Sequence, residues 1–108
     1  MENNITLVLS SLVLVFEDGF LNDAIAVSIN GKQVCFKQKV TTKRVIGLAT
    51  SVNINDIQEG IVTNDIQVPT RNISKHLSLD LSHTIYVAIS IWDSKLEHRI
   101  SDEPLGYM

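Results

Sequence analysis

The chain has one cysteine, Cys35. A lone thiol closes no intrachain disulfide and cannot build a thiolate metal site within one chain. A reactive thiol would need a nearby cation or helix N-terminus to lower its pKa. The sequence offers only Lys37 on the same strand face, so Cys35 is expected to be a reduced thiol without a catalytic role. Basic residues are also scarce: nine Lys and Arg against twelve Asp and Glu give a net charge of −3. A nucleic-acid binder needs a basic stripe to displace counterions from phosphates, and an anionic membrane surface asks for the same, so neither partner is expected. Aromatics make up 6% of the chain, fewer than a carbohydrate-binding platform usually presents. No low-complexity or Pro/Gly-rich linker divides the chain, and no segment keeps a helical period. No apolar run is long enough for a membrane-spanning helix. The greasy start, MENNITLVLSSLVLVF, has Glu2 where a secretion signal has basic residues, and Phe16-Glu17-Asp18 where it has a small-residue cleavage site. It reads as strand, and a cytoplasmic protein is the expectation.

What the chain does have is period-two alternation. The clearest stretch is Asp23 to Val40, DAIAVSINGKQVCFKQKV, with Asn30-Gly31 between two alternating runs. A two-residue type I′ turn needs positive φ at both central positions, and Asn-Gly supplies it. Centred there, the pairing is expected to place Ile29 opposite Lys32, Val27 opposite Val34, Ala26 opposite Cys35 and Ile25 opposite Phe36. Ile25, Val27, Val34 and Phe36 would then share a buried face. Around this hairpin, Leu12, Leu14 and Phe16 share a face, and a phase change at Ser10-Ser11 suggests a bulge. Ile46 to Ile54 alternate as a strand containing Gly47. Residues 60–68 form another, ended by Pro69, which cannot donate to a ladder. Leu77, Leu79 and Leu81 mark a further strand, and Ile85, Val87, Ile89 and Ile91 a central one. A polar tail is expected from 97 to 108. At 108 residues the chain is one domain. About seven strands separated by turns predict an all-β fold, a single antiparallel β-sandwich of immunoglobulin or prealbumin type.

The order of elements resembles the prealbumin-like sandwich of carboxypeptidase regulatory-like and Cna protein B-type domains. The residues that carry the likeness are the strand Leu12 to Phe16, the turn Asp18-Gly19, the strand Ala24 to Gly31, Thr41-Thr42, Gly47-Leu48-Ala49 and Glu59-Gly60. The resemblance spans roughly residues 12 to 92 and implies an architecture and an accessory or adhesion-like module rather than an enzyme. The Lys and Asn that form an isopeptide bond in many Cna B-type domains have no counterparts in Ile5 to Phe16 and Ile85 to Trp92. No functional residue is carried over.

Candidate chemistry is thin. His76, His83 and His98 fall in or beside loops without ligand spacing, and zinc needs three or four converging ligands. Oxygen ligands from loops at one end of a sandwich can bind calcium, which nominates Asp18, Asp23 and Asp93; turn chemistry explains the same residues. Ser82-His83 are neighbours in sequence, which does not make a triad. Tyr86 and Trp92 share one face of the late strand and are the candidate interaction face. No catalytic residues, resident metal or cofactors are expected. The expected function is a non-catalytic protein-interaction or structural module that self-associates, with a carbohydrate- or calcium-binding module as the alternative. A homodimer is expected, formed over an open 60–68 edge or the small-residue faces of Ala24, Ala26 and Ser28 and of Gly47, Ala49 and Ser51. The competing arrangement folds the tail over that surface, with Leu105 and Tyr107 as anchors.

Overall fold

The computed structural model describes residues 8–106. They form eight strands: β1 (Leu9–Phe16), β2 (Asp23–Ile29), β3 (Lys32–Val40), β4 (Thr50–Gln58), β5 (Ile61–Val68), β6 (Ile73–Asp80), β7 (Ile85–Trp92) and β8 (Lys95–Ser101). One sheet has the order β4-β1-β7-β8, the other β3-β2-β5-β6. All pairings are antiparallel except β1 with β7, which run parallel. The chain is an all-β sandwich.

Alternation builds the core. From the first sheet Leu12, Leu14, Phe16, Ile85, Val87, Ile89 and Ile91 are buried, and from the second Ile25, Val27, Ile29, Val62, Ile66, Val68, Leu77 and Leu79. They join one apolar cluster between the sheets. Phe16 and Phe20 close it at one end, ring edge to ring face, with centroids 5.6 Å apart. The β7 strand is central, as its unbroken Ile/Val alternation predicts. The phase change at Ser10-Ser11 is a register shift in the β1–β4 pairing.

The turn at Asn30-Gly31 forms with positive φ at both residues, 51° and 81°. The register holds for Ile29 with Lys32 and Ser28 with Gln33, then shifts between Ser28 and Val27. Beyond this bulge Val27 pairs with Cys35, Ala26 with Phe36 and Ile25 with Lys37. One extra residue in β3 turns the side chains from Cys35 to Lys37 to the other face, until a second shift between Ile25 and Asp23 pairs Asp23 with a buried Val40. Val34 and Phe36 are therefore exposed, and the expected burial of both is corrected. Phe36 lies on the outer face beside Ala26. Cys35 packs against the core instead of sharing the outer face with Ala26. Lys37 points between the sheets and donates through Nζ to Thr50 Oγ1 at 3.1 Å. Fully buried Asn64 donates to the Ser28 carbonyl, at the bulge, at 3.1 Å, while its Oδ1 has no partner.

Four other expectations change. Residues 44–47 are a turn closed by the bridge Lys43–Leu48, so β4 starts at Thr50 and not Ile46. It runs on past Ile54, its expected end, through Asp56, whose φ is 60°, to Gln58. The 61–68 strand is no edge: β5 pairs on one side with β2 and on the other with β6. The polar stretch from 97 is strand as far as Ser101, because β7 and β8 continue through an Asp93-Ser94 turn with positive φ at both residues. The expected strand start at Ile5 and the anchor Tyr107 lie outside the described residues.

Candidate functional site

Four connections meet at one end of the sandwich: residues 17–22, 41–49, 69–72 and 93–94. Main-chain bonds tie them together, Ile91 N–H to the Asp18 carbonyl and Thr42 N–H to the Phe20 carbonyl, both at 2.9 Å. Gly19 fits because it lacks a side chain. A Cβ there would lie 2.3 Å from the Ile91 carbonyl oxygen, and its φ is +92°.

Asp23 is the fixed point of this end. Its side chain is only 3% exposed. It accepts from Leu21 N–H at 2.8 Å, from the Thr70 hydroxyl at 2.7 Å and from Arg71 through Nε and Nη2 at 2.9–3.1 Å. Burial pulls the carboxyl's pKa upward. The bonds from Arg71, Leu21 and Thr70 and the charge of Arg71 outweigh it, and hold the carboxyl below its ordinary 3.8. Arg71 Nη2 also donates to the Gly19 carbonyl at 2.9 Å. With Nε and Nη2 so engaged, the guanidinium plane is locked. Beside it lies a cleft of about 470 Å³, bordered by Asp18, Leu21, Thr41, Arg44 and Arg71.

The three aspartates nominated for calcium all lie at this end, but they do not form a ligand set. Asp23 is committed to Arg71. Among the described residues no group of three or more His, Cys, Asp or Glu is placed to hold a metal ion. The histidines sit on strands or in a turn. His76 on β6 meets Asp65 across the β5–β6 ladder, and His98 lies on β8. Ser82 Oγ is 3.1 Å from His83 Nδ1 in an exposed turn, and among the described residues no hydrogen bond to a carboxylate orients that ring.

Tyr86 and Trp92 both face outward on the β4-β1-β7-β8 sheet. Six residues of strand put them roughly 20 Å apart, so they do not form one platform. Between them Ala88 is covered, and Arg99 makes a two-pronged pair with Glu17 at 2.7 and 2.9 Å. Tyr86 lines a groove with Val13, Val15, Pro104 and Leu105, so the C-terminal segment lies against this outer face. Trp92 stands 74% exposed at the other end.

Sequence reading missed Arg44 and Arg71 as neighbours, since 27 positions of chain separate them and only the meeting of loops joins them. It also took the 60–68 strand for an open edge. The open strands are β4 and β8 in one sheet and β3 and β6 in the other. No protein-family model matches the chain, and no curated protein matches it either.

Proposed function

We propose that this protein is a non-catalytic, self-associating β-sandwich module of the prealbumin-like kind, joined to a second copy along β8. The strand orders β4-β1-β7-β8 and β3-β2-β5-β6, with a parallel β1–β7 pair, support the prealbumin-like reading.

The observation that carries the self-association is the character of the β8 edge. Proteins blunt open edges with bulges and inward charges. The β3/β4 side has both: register shifts in the β1–β4 and β2–β3 pairings, and Lys37 reaching across between the sheets. The β6/β8 side has regular ladders without a shift over Ile73–Asp80 and Lys95–Ser101. The β8 sequence KLEHRIS is also self-complementary. An antiparallel copy paired about His98 sets Leu96 against Ile100, Glu97 against Arg99 and Lys95 against Ser101. Apolar meets apolar and opposite charges meet, as an isologous twofold contact requires. Ile100, 52% exposed in the single chain, gains a partner there. Lys75, on the inward face of β6 beside His98, is the charge this side must accommodate.

Sedimentation velocity at micromolar concentration tests the reading. The expected result is a dimer that Ile100→Lys converts to monomer without loss of the folded spectrum. A 12.0 kDa monomer at every concentration would overturn it.

A further inference from the structure

We infer a second binding surface, independent of the β8 contact: an electropositive groove along the β3/β4 side and the adjoining loop end, shaped to take an extended acidic segment of a partner protein that also carries apolar side chains. The charge of the chain is segregated. Residues 24–55 contain five basic residues, Lys32, Lys37, Lys39, Lys43 and Arg44, and no acidic one, although the chain as a whole is −3. The fold gathers four of the five. Lys37, Lys39 and Lys43 border a cleft of about 400 Å³ beside the start of β4. Thr41 borders this cleft and the 470 Å³ cleft at the loop end alike, so the two adjoin, and Arg44 and Arg71 border the second.

The donors are prepared. Arg71 is held through Nε and Nη2 by Asp23 and Gly19, and among the described residues no hydrogen bond uses its Nη1. Arg44 is exposed at the turn and makes no ion pair among the described residues. The Thr41 hydroxyl accepts from Asn22 N–H at 2.8 Å and keeps its proton to donate. The Nη1 of Arg71 can donate singly to a carboxylate, and the exposed Arg44 guanidinium can bind one two-pronged. Asp23 and Arg71 neutralise each other and Asp18 borders the loop end, so the excess positive charge comes from Lys37, Lys39 and Lys43 together with Arg44.

Two features select an acidic peptide over other polyanions. The loop end offers an apolar side chain, since Leu21 borders the cleft and is 71% exposed, and Val45, next in the chain to Arg44, is 97% exposed. A sulfated sugar or a phosphate backbone makes no use of such side chains, whereas alternate residues of an extended peptide do. Nucleic acid would in addition want stacking aromatics, and the two clefts offer none, since Phe20 is buried. A long polyanion would also meet the acidic remainder of the surface.

Fluorescence anisotropy with a short labelled peptide of alternating glutamate and leucine tests the inference. The peptide should bind, and binding should weaken as ionic strength rises from about 20 to about 200 mM. The double substitution Lys43→Glu with Arg44→Glu, at exposed loop positions, should lower affinity at least about tenfold while the melting temperature holds. Lys95→Glu, on the far β8 edge, should leave affinity within about twofold. Three results would overturn the inference: no binding at low salt, equal loss in the Lys95 variant, or tighter binding of heparin or a DNA duplex at the same groove. Because β8 is not involved, a monomeric protein that still binds the peptide would refute the dimer alone.

Discussion

At the scale of single residues, burial and partner count set the consequences. Ile89 is 1% exposed at the centre of β7, so Ile89→Ala should cost about 2–5 kcal/mol through lost transfer energy and the cavity left behind. Urea unfolding measures it, and a loss below about 1 kcal/mol would place β7 away from the core. Asp23→Asn removes the charge that Arg71 meets while leaving a side chain of the same shape. Hydrogen bonds to charged groups contribute about 1.5–3 kcal/mol, and the partial exposure of Arg71 puts the loss at the low end. The pH dependence has a definite sign. The folded carboxyl sits below 3.8, so its contribution is complete above that value and is lost as pH falls through the folded pKa. The Asn variant should lack that part of the acid limb in urea midpoints measured from pH 5 to pH 2. Asp23 as a turn residue was legible in the sequence. Its partners were not, because Thr70 and Arg71 lie 47 and 48 positions away.

At the scale of elements, the hairpin is the instructive case. Asn30-Gly31 determines the turn, and the two pairs nearest it follow from turn geometry alone. The bulge that comes next depends on what lies on either side of β3. The outer face of β2 offers only small side chains, over which Phe36 lies, and the inner side of the edge takes Lys37 across to Thr50. A register drawn from apolar alternation assigns Phe36 to the core. The observed one makes it a surface residue. Phe36→Ala should therefore cost no more than about 1.5 kcal/mol, whereas Ile25→Ala should cost about 2–5 kcal/mol. Equal large losses in thermal or urea melts would restore the unshifted register. In the β1–β2 connection, Gly19→Ala combines a clash with Ile91 and a left-handed backbone. It should destabilise by at least about 1–3 kcal/mol, and a neutral result would mean that the connection can move off β7.

At the scale of the whole molecule, the two open sides of the sandwich differ, and pH should reveal it. His98 lies on β8 with Lys75 of β6 nearby; burial first, then the charge of Lys75, lowers its pKa below 6.5, against the opposing pull of Glu97. A histidine lowered by folding contributes stability that is complete above 6.5 and declines as pH falls toward the folded value. Melting temperature should therefore fall between pH 7 and pH 5, and His98→Gln should flatten that slope; an unchanged slope would show that His98 is not the group responsible. In the proposed dimer two copies of His98 face each other, so acid should also favour the monomer in sedimentation. By itself, the sequence determined the fold class, the Asn30-Gly31 turn, the bulge near Ser10-Ser11, the stop at Pro69 and the central place of Ile85 to Ile91. These are local: turn chemistry fixes φ, and alternation over a few residues fixes which face is apolar. Only the tertiary structure decided that β5 is interior and β8 an edge, that Asp23 belongs to Arg71, and that the clefts bordered by Lys37 and Lys43 and by Arg44 and Arg71 adjoin at Thr41. Those facts depend on which strands become neighbours, and in a two-sheet fold neighbours are chosen by the packing of the entire core rather than by any short stretch of chain.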